Sequence, residues 1–325
     1  MVLMLSRANL ENVLTMEATI EALDQAFREL TQGTAMIIPR SSIVFPKQEG
    51  WIGIMPASVM NSFSTKIVTL YKRNLEKNLP TIMGTIVLND PETGEVLSIM
   101  DGTYITAIRT GALGGLAAKY LSRKDSKTVG IFGAGTQART QLAALIEVRK
   151  ISRAFVYDSV PERTKAFATE MREKLKIPIE VAENPRTLLQ ASDIVVTVST
   201  SSVPVFSGAD LKHGTHVNAF GNFKTDEREI DTETIVRSKV FVDLEEAALA
   251  EAGDIVIPIK EGRFRKEQIA GSIGEVLVGS KPGRTSNEEI TLFKSVGLGI
   301  QDCAAATVAY RNALQKKVGT NIKLN

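Results

Sequence analysis

The sequence predicts an α/β protein that combines a doubly wound parallel Rossmann sheet with an α+β domain built on an antiparallel sheet. Three observations lead to this prediction. A Gly-x-Gly-x-x-Ala motif joins an apolar run to a helical pattern near the middle of the chain. Apolar runs alternate with helical segments from Thr128 onwards, and short runs rich in Ile, Val and Thr fill the region from Met36 to Met100. At 325 residues the chain is long enough for two domains of about 100–200 residues each.

The first region begins with a predicted amphipathic helix at residues 16–32, which Thr15 can cap and Gly33 can end. After this helix the pattern changes to short strands, and a turn at Asn89–Gly94 joins the last two into a hairpin. The strands are predicted at Ile37–Phe45, Trp51–Met55, Thr65–Tyr71, Thr81–Leu88 and Val96–Met100. These runs predict an antiparallel sheet that is separate from the nucleotide fold.

The segment Thr106–Leu121 has a helical pattern and is rich in glycine and alanine. Glycine inside a helix costs up to about 1 kcal/mol relative to alanine, so we expect a neighbouring backbone or a ligand to approach closely here. The polar residues 122–127 then join the two domains, and a last helix at about Leu298–Leu314 is expected to pack back on the first domain. The predicted domains are therefore 1–121 with 298–325, and 122–297.

The Gly-x-Gly-x-x-Ala motif spans Gly133 to Ala138, between the strand Val129–Phe132 and a helix. Gly133 permits a tight turn, Gly135 lets the backbone approach a pyrophosphate, and the helix N-terminus offers free N–H groups to the anion. Asp158 ends the next apolar run 23 residues after Gly135, close to the roughly 20 residues expected before the acid that binds the adenosine ribose. The alternative is a chance glycine-rich turn before a helix. We predict a site for a nicotinamide dinucleotide.

Asp158 also bears on the kind of dinucleotide. A carboxylate repels the 2′-phosphate of NADPH, so this residue favours NAD(H). Arg163, one helical turn further on, leaves room for the phosphate, so NADP(H) stays open as an alternative.

Six apolar runs predict the strands of the parallel sheet, and ligands of such sheets bind beyond the carboxyl ends of the strands. The loops at 199–202 and 221–224 follow two of those ends and are the predicted floor of the nicotinamide site. The strands are predicted at Val129–Phe132, Ala154–Tyr157, Ile179–Ala182, Ile194–Val198, His216–Phe220 and Val240–Val242.

Composition narrows the possible partners. The formal net charge of +2 gives no reason to expect nucleic acid or an anionic membrane, and no apolar run approaches the roughly 20 residues of a membrane span. The N-terminus lacks the pattern of a signal peptide. The single cysteine, Cys303, suits a reducing, cytoplasmic setting and lies in an apolar helical pattern that favours a packing role over a nucleophilic one. Two histidines, His213 and His216, are too few for a usual zinc site, so no metal is expected.

Three cations in or beside apolar runs are candidates for binding an anionic substrate: Arg40, Lys66 and Arg109. A hydride donor needs an electrophile held beside it, and cations commonly bind an anionic group of that substrate. The alternative for each is an exposed face of a strand or helix. Close apolar neighbours favour the functional interpretation for Lys66 and Arg109, whereas Arg40 is evenly balanced. A desolvated Lys66 would have a lowered pKa and would then donate a proton readily.

Four segments make the chain resemble the ornithine cyclodeaminase/mu-crystallin family: Trp51–Ala57, Thr65–Thr69, Met100–Gly102 with Ile105–Thr110, and Phe293–Gly297. The likeness covers nearly the whole chain in the right order. It implies a homodimer, a nicotinamide-binding Rossmann domain, and a substrate-binding and dimerisation domain completed by the C-terminal helix. By position, Arg40, Lys66 and Arg109 would bind the substrate carboxylate, with Ser295 near the nicotinamide or substrate. The residues expected along the cofactor are Thr81, Thr110, Gly133, Gly135, Thr136, Gln137, Asp158, Ser159, Arg163, Ser199, Thr200 and Phe220.

Two positions depart from the cyclodeaminase pattern. Ornithine cyclodeaminases have a glutamate two places before the Met-Pro pair, where this chain has Gly53. Those enzymes, and a related archaeal alanine dehydrogenase, have an aspartate two residues after the glycine of Asn-Ala-x-Gly, where this chain has Phe223. Neither Gly53 nor Phe223 can relay a proton or hold an ammonium by charge, which argues against cyclodeaminase chemistry. The patterns at 221–231 and 243–254 resemble the mu-crystallin branch more closely, and that branch includes ketimine reductases. Asp226 is a candidate catalytic group, with an acid at a helix N-terminus as the alternative.

We therefore expect an NAD(P)H-dependent oxidoreductase that reduces a small α-imino acid to the L-amino acid. A cyclic substrate such as Δ1-pyrroline-2-carboxylate is favoured, because a protonated imine already carries the activating charge and requires no strong acid. Three alternatives stay open: reductive amination of a 2-oxo acid as in alanine dehydrogenase, ornithine cyclodeamination, and mu-crystallin-like ligand binding with little turnover.

Overall fold

The computed structural model describes residues 1–323, apart from the side chains of Lys72 and Leu75. Contacts divide the chain into two compact units, Met1–Arg109 with Leu298–Asn325, and Thr110–Gly297. The division falls inside a long helix rather than at the predicted joint after residue 121.

The strands of the first unit are β1–β7 and β16, and those of the second are β8–β15. Their bounds are β1 Val2–Leu5, β2 Met36–Ile37, β3 Ser41–Phe45, β4 Gly50–Val59, β5 Ser62–Tyr71, β6 Ile82–Asn89, β7 Val96–Asp101, β8 Thr128–Phe132, β9 Arg153–Tyr157, β10 Ile179–Val181, β11 Ile194–Thr197, β12 His216–Ala219, β13 Ser238–Val242, β14 Ile269–Ser272, β15 Ile290–Lys294 and β16 Thr320–Ile322. The helices are α1 Arg7–Val13, α2 Met16–Thr31, α3 Gly102–Leu121, α4 Thr136–Val148, α5 Pro161–Leu175, α6 Pro185–Ala191, α7 Thr232–Arg237, α8 Glu245–Glu251, α9 Gly253–Lys260, α10 Ile273–Leu277 and α11 Gly299–Lys316.

The sheet of the first unit has the order β16-β1-β7-β6-β5-β4-β2, with β3 also paired to β4. The predicted antiparallel pairing is confirmed from β2 to β7, including the hairpin of β6 and β7. The sheet is nevertheless mixed, because β1 joins β7 in parallel. Sequence analysis did not predict β1 and β16, which are short terminal strands that pair with each other.

Helices of the first unit cover one face of this sheet. The predicted cap of α2 is confirmed, since the Thr15 hydroxyl accepts a hydrogen bond from the Ala18 amide at 3.2 Å. The last helix, α11, packs on α2 and on strands β4 and β5, and it belongs to the compact first unit. Its alanine-rich face contributes to a core shared with β1, β6 and the start of α3.

The sheet of the second unit has the order β10-β9-β8-β11-β12-β15-β13-β14, and every pair is parallel. The six predicted strands are confirmed, and strand order reverses between β8 and β11, which defines the switch point of a Rossmann sheet. Sequence analysis missed β14 and β15, and β15 lies between β12 and β13. This strand ends in Lys294, a charged residue that is fully buried, so its burial was not evident from the pattern.

The glycines of α3 explain why the division between units falls at residue 109. A Cβ at Gly111 would lie 2.5 Å from the backbone of Thr140, and one at Gly114 would lie 1.9 Å from the side chain of Gln141. The second half of α3 therefore packs closely against α4, as its small residues predicted, and belongs to the second unit.

Within residues 1–323, no helix combines the length and apolar character that crossing a membrane requires.

Candidate functional site

The glycine-rich loop has the geometry of an anion-binding turn. Gly133 follows β8 with φ of 101°, a conformation that favours glycine, and a Cβ there would lie 2.8 Å from the carbonyl oxygen of Val198. Gly135 is the N-cap of α4, and apart from Gly135 itself and its two chain neighbours no described residue has an atom within 4 Å of the place of its missing Cβ. Thr136 and Gln137 open the helix beside it. The backbone at Gly135 is thus open to a phosphate group at a helix N-terminus.

Arg139 holds the glycine-rich loop through hydrogen bonds to its carbonyl oxygens, a role that sequence analysis did not predict. Its Nη1 donates to the carbonyl oxygens of Ala134 and Gly135, each at 2.9 Å. Its Nη2 pairs with Glu170 of α5 at 2.6 Å. The guanidinium therefore connects the loop to the neighbouring helix.

Asp158 lies beside the glycine-rich loop, at the end of β9. Its carboxylate accepts hydrogen bonds from the amides of Ala134 and Val160, both at 2.9 Å. Ser159 is exposed next to it, and Arg163 is exposed in the first turn of α5. This is the position from which an acid binds the ribose of a dinucleotide in a Rossmann fold.

The loops predicted for the nicotinamide follow the adjacent strands β11 and β12. Ser199 and Thr200 lie directly beyond β11, and Phe220 follows β12 with its ring 5.8 Å from that of Phe293. Ser295 follows β15, and its hydroxyl donates to the Asp243 carboxylate at 2.7 Å. The loops and Ser295 thus meet at the carboxyl edge of three neighbouring strands.

Lys66 and Arg109, the two favoured cations of the first unit, lie inside the protein. Residues of β5 alternate, with Ser64, Lys66 and Val68 facing inwards and Ile67 facing out. Arg109 projects from α3 and is 7% exposed, whereas Lys66 is 1% exposed. The alternative of exposed surface positions is wrong for both.

Asp302 of α11 bridges the two cations. Its carboxylate is 2.6 Å from Lys66 Nζ through Oδ2 and 3.0 Å from Arg109 Nε through Oδ1. The Gln301 side-chain oxygen accepts a further hydrogen bond from Arg109 at 2.6 Å. Sequence analysis missed Asp302, although an acid in the otherwise apolar start of a helix was a signal for it. The Lys66–Asp302–Arg109 group has two cations and one carboxylate, and so keeps a positive charge for an anionic ligand.

Burial, together with the positive charges of Arg109 and Arg40, lowers the pKa of Lys66 to about 7. Asp302 opposes this shift through its charge and a hydrogen bond. The predicted lowering of the Lys66 pKa is therefore confirmed, with burial as its main cause. The effect of Arg40 on Lys66 shows that its charge acts on the same group, and Arg40 is itself half-buried.

The remaining predicted residues have diverse surroundings. Thr81 precedes β6 in the first unit, where its carbonyl oxygen accepts from the Tyr71 amide at 2.9 Å. Thr110 is buried in α3, and its carbonyl oxygen accepts from Gln141 at 3.0 Å. Asp226 lies exposed in a turn, and the next helix, α7, is capped by Asp231 instead. The alternative of a helix N-terminal acid is thus wrong for Asp226, and its catalytic role stays a prediction.

Comparisons with known proteins give one consistent result. The model of the ornithine cyclodeaminase/mu-crystallin family matches residues 1–317. The structure of Thermococcus litoralis Δ(1)-pyrroline-2-carboxylate reductase in complex with NADH and L-proline is similar, with 47% identity, a TM-score of 0.96, and coverage of 99% of this chain and 100% of that one. An archaeal alanine dehydrogenase dimer with bound NAD shares 39% identity, a TM-score of 0.94, and coverage of 100% and 99%. A Bacillus cereus Δ(1)-pyrroline-2-carboxylate reductase is 38% identical over 324 residues, covering 99% of each chain.

Proposed function

Because the chain belongs to the ornithine cyclodeaminase/mu-crystallin family, we propose that it is an NAD(P)H-dependent reductase of a small, cyclic α-imino acid. Δ1-Pyrroline-2-carboxylate is the proposed substrate, and the L-amino acid is the product. The observation that carries this proposal is the buried Lys66–Asp302–Arg109 group, whose residual positive charge suits a carboxylate. The similarity to two pyrroline-2-carboxylate reductases supports the choice of substrate.

The residues of the chain have distinct proposed tasks. A nicotinamide dinucleotide, when bound, supplies the hydride that reduces the imine carbon. Gly133 and Gly135 suit its pyrophosphate, because one makes the turn and the other leaves its backbone open. Lys66 and Arg109 bind the substrate carboxylate and orient the imine, with Arg40 adding positive charge. A protonated imine already carries the charge that attracts hydride, so the site needs no strong acid.

The first unit also disfavours cyclodeaminase chemistry. A Cβ at Gly53 would lie 2.3 Å from the indole ring of Trp51, so the indole occupies the space of a side chain at that position. Gly53 faces inwards on β4, and Met55, two residues on, is paired with Lys66 of β5. The Trp51 indole therefore takes the place of the glutamate that ornithine cyclodeaminases have at the position of Gly53. An apolar ring suits the ring of a cyclic imine better than the free amine of a linear diamino acid.

An absorbance assay of NADH oxidation tests the proposed reaction. We expect rapid oxidation with Δ1-pyrroline-2-carboxylate alone and slow oxidation with pyruvate plus ammonium. The second candidate function is reductive amination, which the 39% identity to an archaeal alanine dehydrogenase favours. Oxidation only with pyruvate and ammonium would establish that candidate and contradict the first. Binding of apolar ligands without turnover of either substrate would instead indicate a ligand-binding protein.

NADH is the proposed cofactor, because Asp158 lies where its carboxylate would repel a 2′-phosphate. We expect kcat/KM to favour NADH, and Asp158→Asn to reduce this preference by about tenfold, the value of one hydrogen bond to a charged group. Steady-state kinetics with both cofactors measure the ratio. Glu162→Gln is the matched control, since Glu162 is an exposed acid of the same helix start. An unchanged preference in Asp158→Asn would refute this role for Asp158.

A homodimer through the outer face of the first sheet completes the proposal. Ile43, Ile54 and Ile67 share this face and are 55%, 39% and 45% exposed, and Ile54 is directly opposite Ile67. A contiguous exposed aliphatic surface commonly marks a protein interface. Light scattering should give twice the 35.3 kDa mass of one chain, and Ile54→Lys with Ile67→Lys should shift the protein towards monomers. A monomeric wild-type protein would contradict the proposal.

A further inference from the structure

Glu229 lies in a buried cluster of the second unit that no part of the proposed mechanism uses. The Glu229 cluster consists of Glu229, Asp254, Lys294 and Asn222, and the first three are 0% exposed. Acids and lysines are rarely buried to this extent unless they are paired. The burial of three ionisable side chains in one cluster therefore indicates a specific role for them.

The carboxyl of Glu229 contacts two loops at once. Its Oε1 accepts a hydrogen bond from the Ser199 amide at 2.6 Å, in the loop after β11. Its Oε2 lies 2.0 Å from the place that a Cβ of Gly221 would occupy, in the loop after β12. The carboxyl fills the space of the missing side chain of Gly221, so any side chain at 221 would displace it. Oε2 has no hydrogen-bond partner in the part of the chain that the structure describes.

The other members of the cluster hold Glu229 in place. Asp254, at the start of α9, accepts hydrogen bonds from the amides of Glu229 and Ile230 at 2.8 and 2.9 Å. Lys294, at the end of β15, pairs with Asp254 at 2.6 Å and donates to the carbonyl oxygen of Asn222 at 2.6 Å. Because β11, β12 and β15 are adjacent, the cluster ties together the loops at three neighbouring strand ends.

We propose that Glu229 is a positioning residue for the nicotinamide half of the dinucleotide. It holds the loops of Ser199 and Gly221 at a fixed distance from each other. This inference rests on the proposed function, because the loops matter only if they receive the cofactor. Glu229 acts through those loops and touches neither substrate nor reacting atoms.

The charge state of Glu229 gives this role a pH dependence. Burial, together with the negative charge of Asp254 from α9, raises the pKa of Glu229 to about 7. The Ser199 hydrogen bond and the positive charge of Lys294 from β15 oppose the shift. Above pH 7 the ionised carboxylate leaves the cluster with one net negative charge, since Lys294 balances only one of the two acids. Repulsion between Glu229 and Asp254 then loosens the loops.

The inference is tested by titrating the full-length protein with NADH and measuring the fluorescence of bound NADH, which gives the Kd. At pH 6 we expect Glu229→Ala to raise the Kd about tenfold, because the Ser199 amide loses its acceptor, and Glu229→Gln to stay within about threefold of wild type. Gly221→Ala should also weaken binding about tenfold, since its Cβ displaces the carboxyl. The double variant should bind no more weakly than Glu229→Ala alone, because the obstructing carboxyl is absent. Between pH 6 and 8.5 the Kd should rise for wild type and stay level for Glu229→Gln.

The outcomes separate this inference from the proposed function. Glu233→Gln is the matched control, because Glu233 is a half-buried acid of α7 in the same unit. If wild type fails to bind NADH, the proposed function fails. If wild type binds but Glu229→Ala and Gly221→Ala bind equally well, the positioning role is refuted. If Glu229→Gln loses binding to the same extent as Glu229→Ala, Glu229 is only structural. Should Glu229→Ala not fold, Glu229→Gln and Gly221→Ala decide between these outcomes.

Discussion

Replacing Lys66 or Arg109 by alanine is expected to lower kcat/KM for Δ1-pyrroline-2-carboxylate by about 10²-fold or more. Each side chain offers charge-assisted hydrogen bonds to the substrate carboxylate, and a bidentate pair of such bonds accounts for a loss of this size. NADH binding should change little, because the proposed pyrophosphate contacts come from the loop of Gly133 and Gly135 and not from these cations. Steady-state kinetics and NADH titration measure the two effects separately.

The control for this prediction is Lys47→Ala, which removes an exposed lysine of the same unit and should leave turnover unchanged. Circular dichroism establishes that each variant is folded, since Lys66→Ala also leaves Asp302 with one cation fewer. Near wild-type turnover in both Lys66→Ala and Arg109→Ala would contradict the assignment of the substrate site.

The dependence of the wild-type KM on pH follows from the pKa of Lys66. Because the pKa of Lys66 is lowered to about 7, its cationic form predominates only below that pH. We expect KM for the imino acid to rise as the pH increases through 7, because the neutral amine no longer attracts the carboxylate. Lys66→Ala lacks the titrating amine, so it should have a high KM with little dependence on pH in this range. A wild-type KM that falls between pH 6 and 8.5 would show that the neutral amine is the binding form.

Among the proposed substitutions, Asp302→Asn is expected to lower the free energy of unfolding the most, by about 3–5 kcal/mol. Breaking a buried ion pair by removing one partner leaves an uncompensated charge, and here the partner serves two cations. Chemical denaturation monitored by circular dichroism measures the loss.

The loss in Asp302→Asn should be greater at pH 6 than at pH 9. Lys66 has a folded-state pKa of about 7, below its ordinary value of 10.5, so its contribution to stability is complete above pH 10.5 and is lost progressively as the pH falls from there to about 7. Without Asp302 nothing balances the buried cation at pH 6, whereas at pH 9 Lys66 is neutral and only Arg109 lacks its partner. A loss that is equal at both values would mean that Lys66 is not the group that titrates. Glu267→Gln, at an exposed acid of the second unit, is the control for a general effect of charge.

Local patterns were enough to predict much of the fold. Thr15 and the apolar spacing after it predicted α2 within a residue of its end, because caps and periodicity act within a few turns. The glycine-rich loop, the hairpin of β6 and β7, and six of the eight parallel strands followed from the same kind of signal. The motif also predicted which loops lie at the carboxyl edge of the sheet, since strand direction in a Rossmann unit follows from its connections.

Apolar neighbours already favoured a functional role for Lys66 and Arg109, and the resemblance to a family added the substrate carboxylate as their ligand and included Arg40. Lys66 and Arg109 were named together, but their common partner was not. Asp302 is 193 residues from Arg109 in the chain. Sequence spacing carries no information about such a contact, although a buried cation requires an acid somewhere.

The sequence by itself therefore determined the two kinds of sheet, the glycine-rich loop and the identity of the two buried cations. Only the tertiary structure decided that Asp302 neutralises part of their charge, that β15 lies between β12 and β13, and that Glu229 lies under Gly221. The physical reason is the range of the interactions. Propensity, capping and turn formation depend on residues that are near in sequence, whereas the pairing of buried charges depends on which distant segments fold against each other.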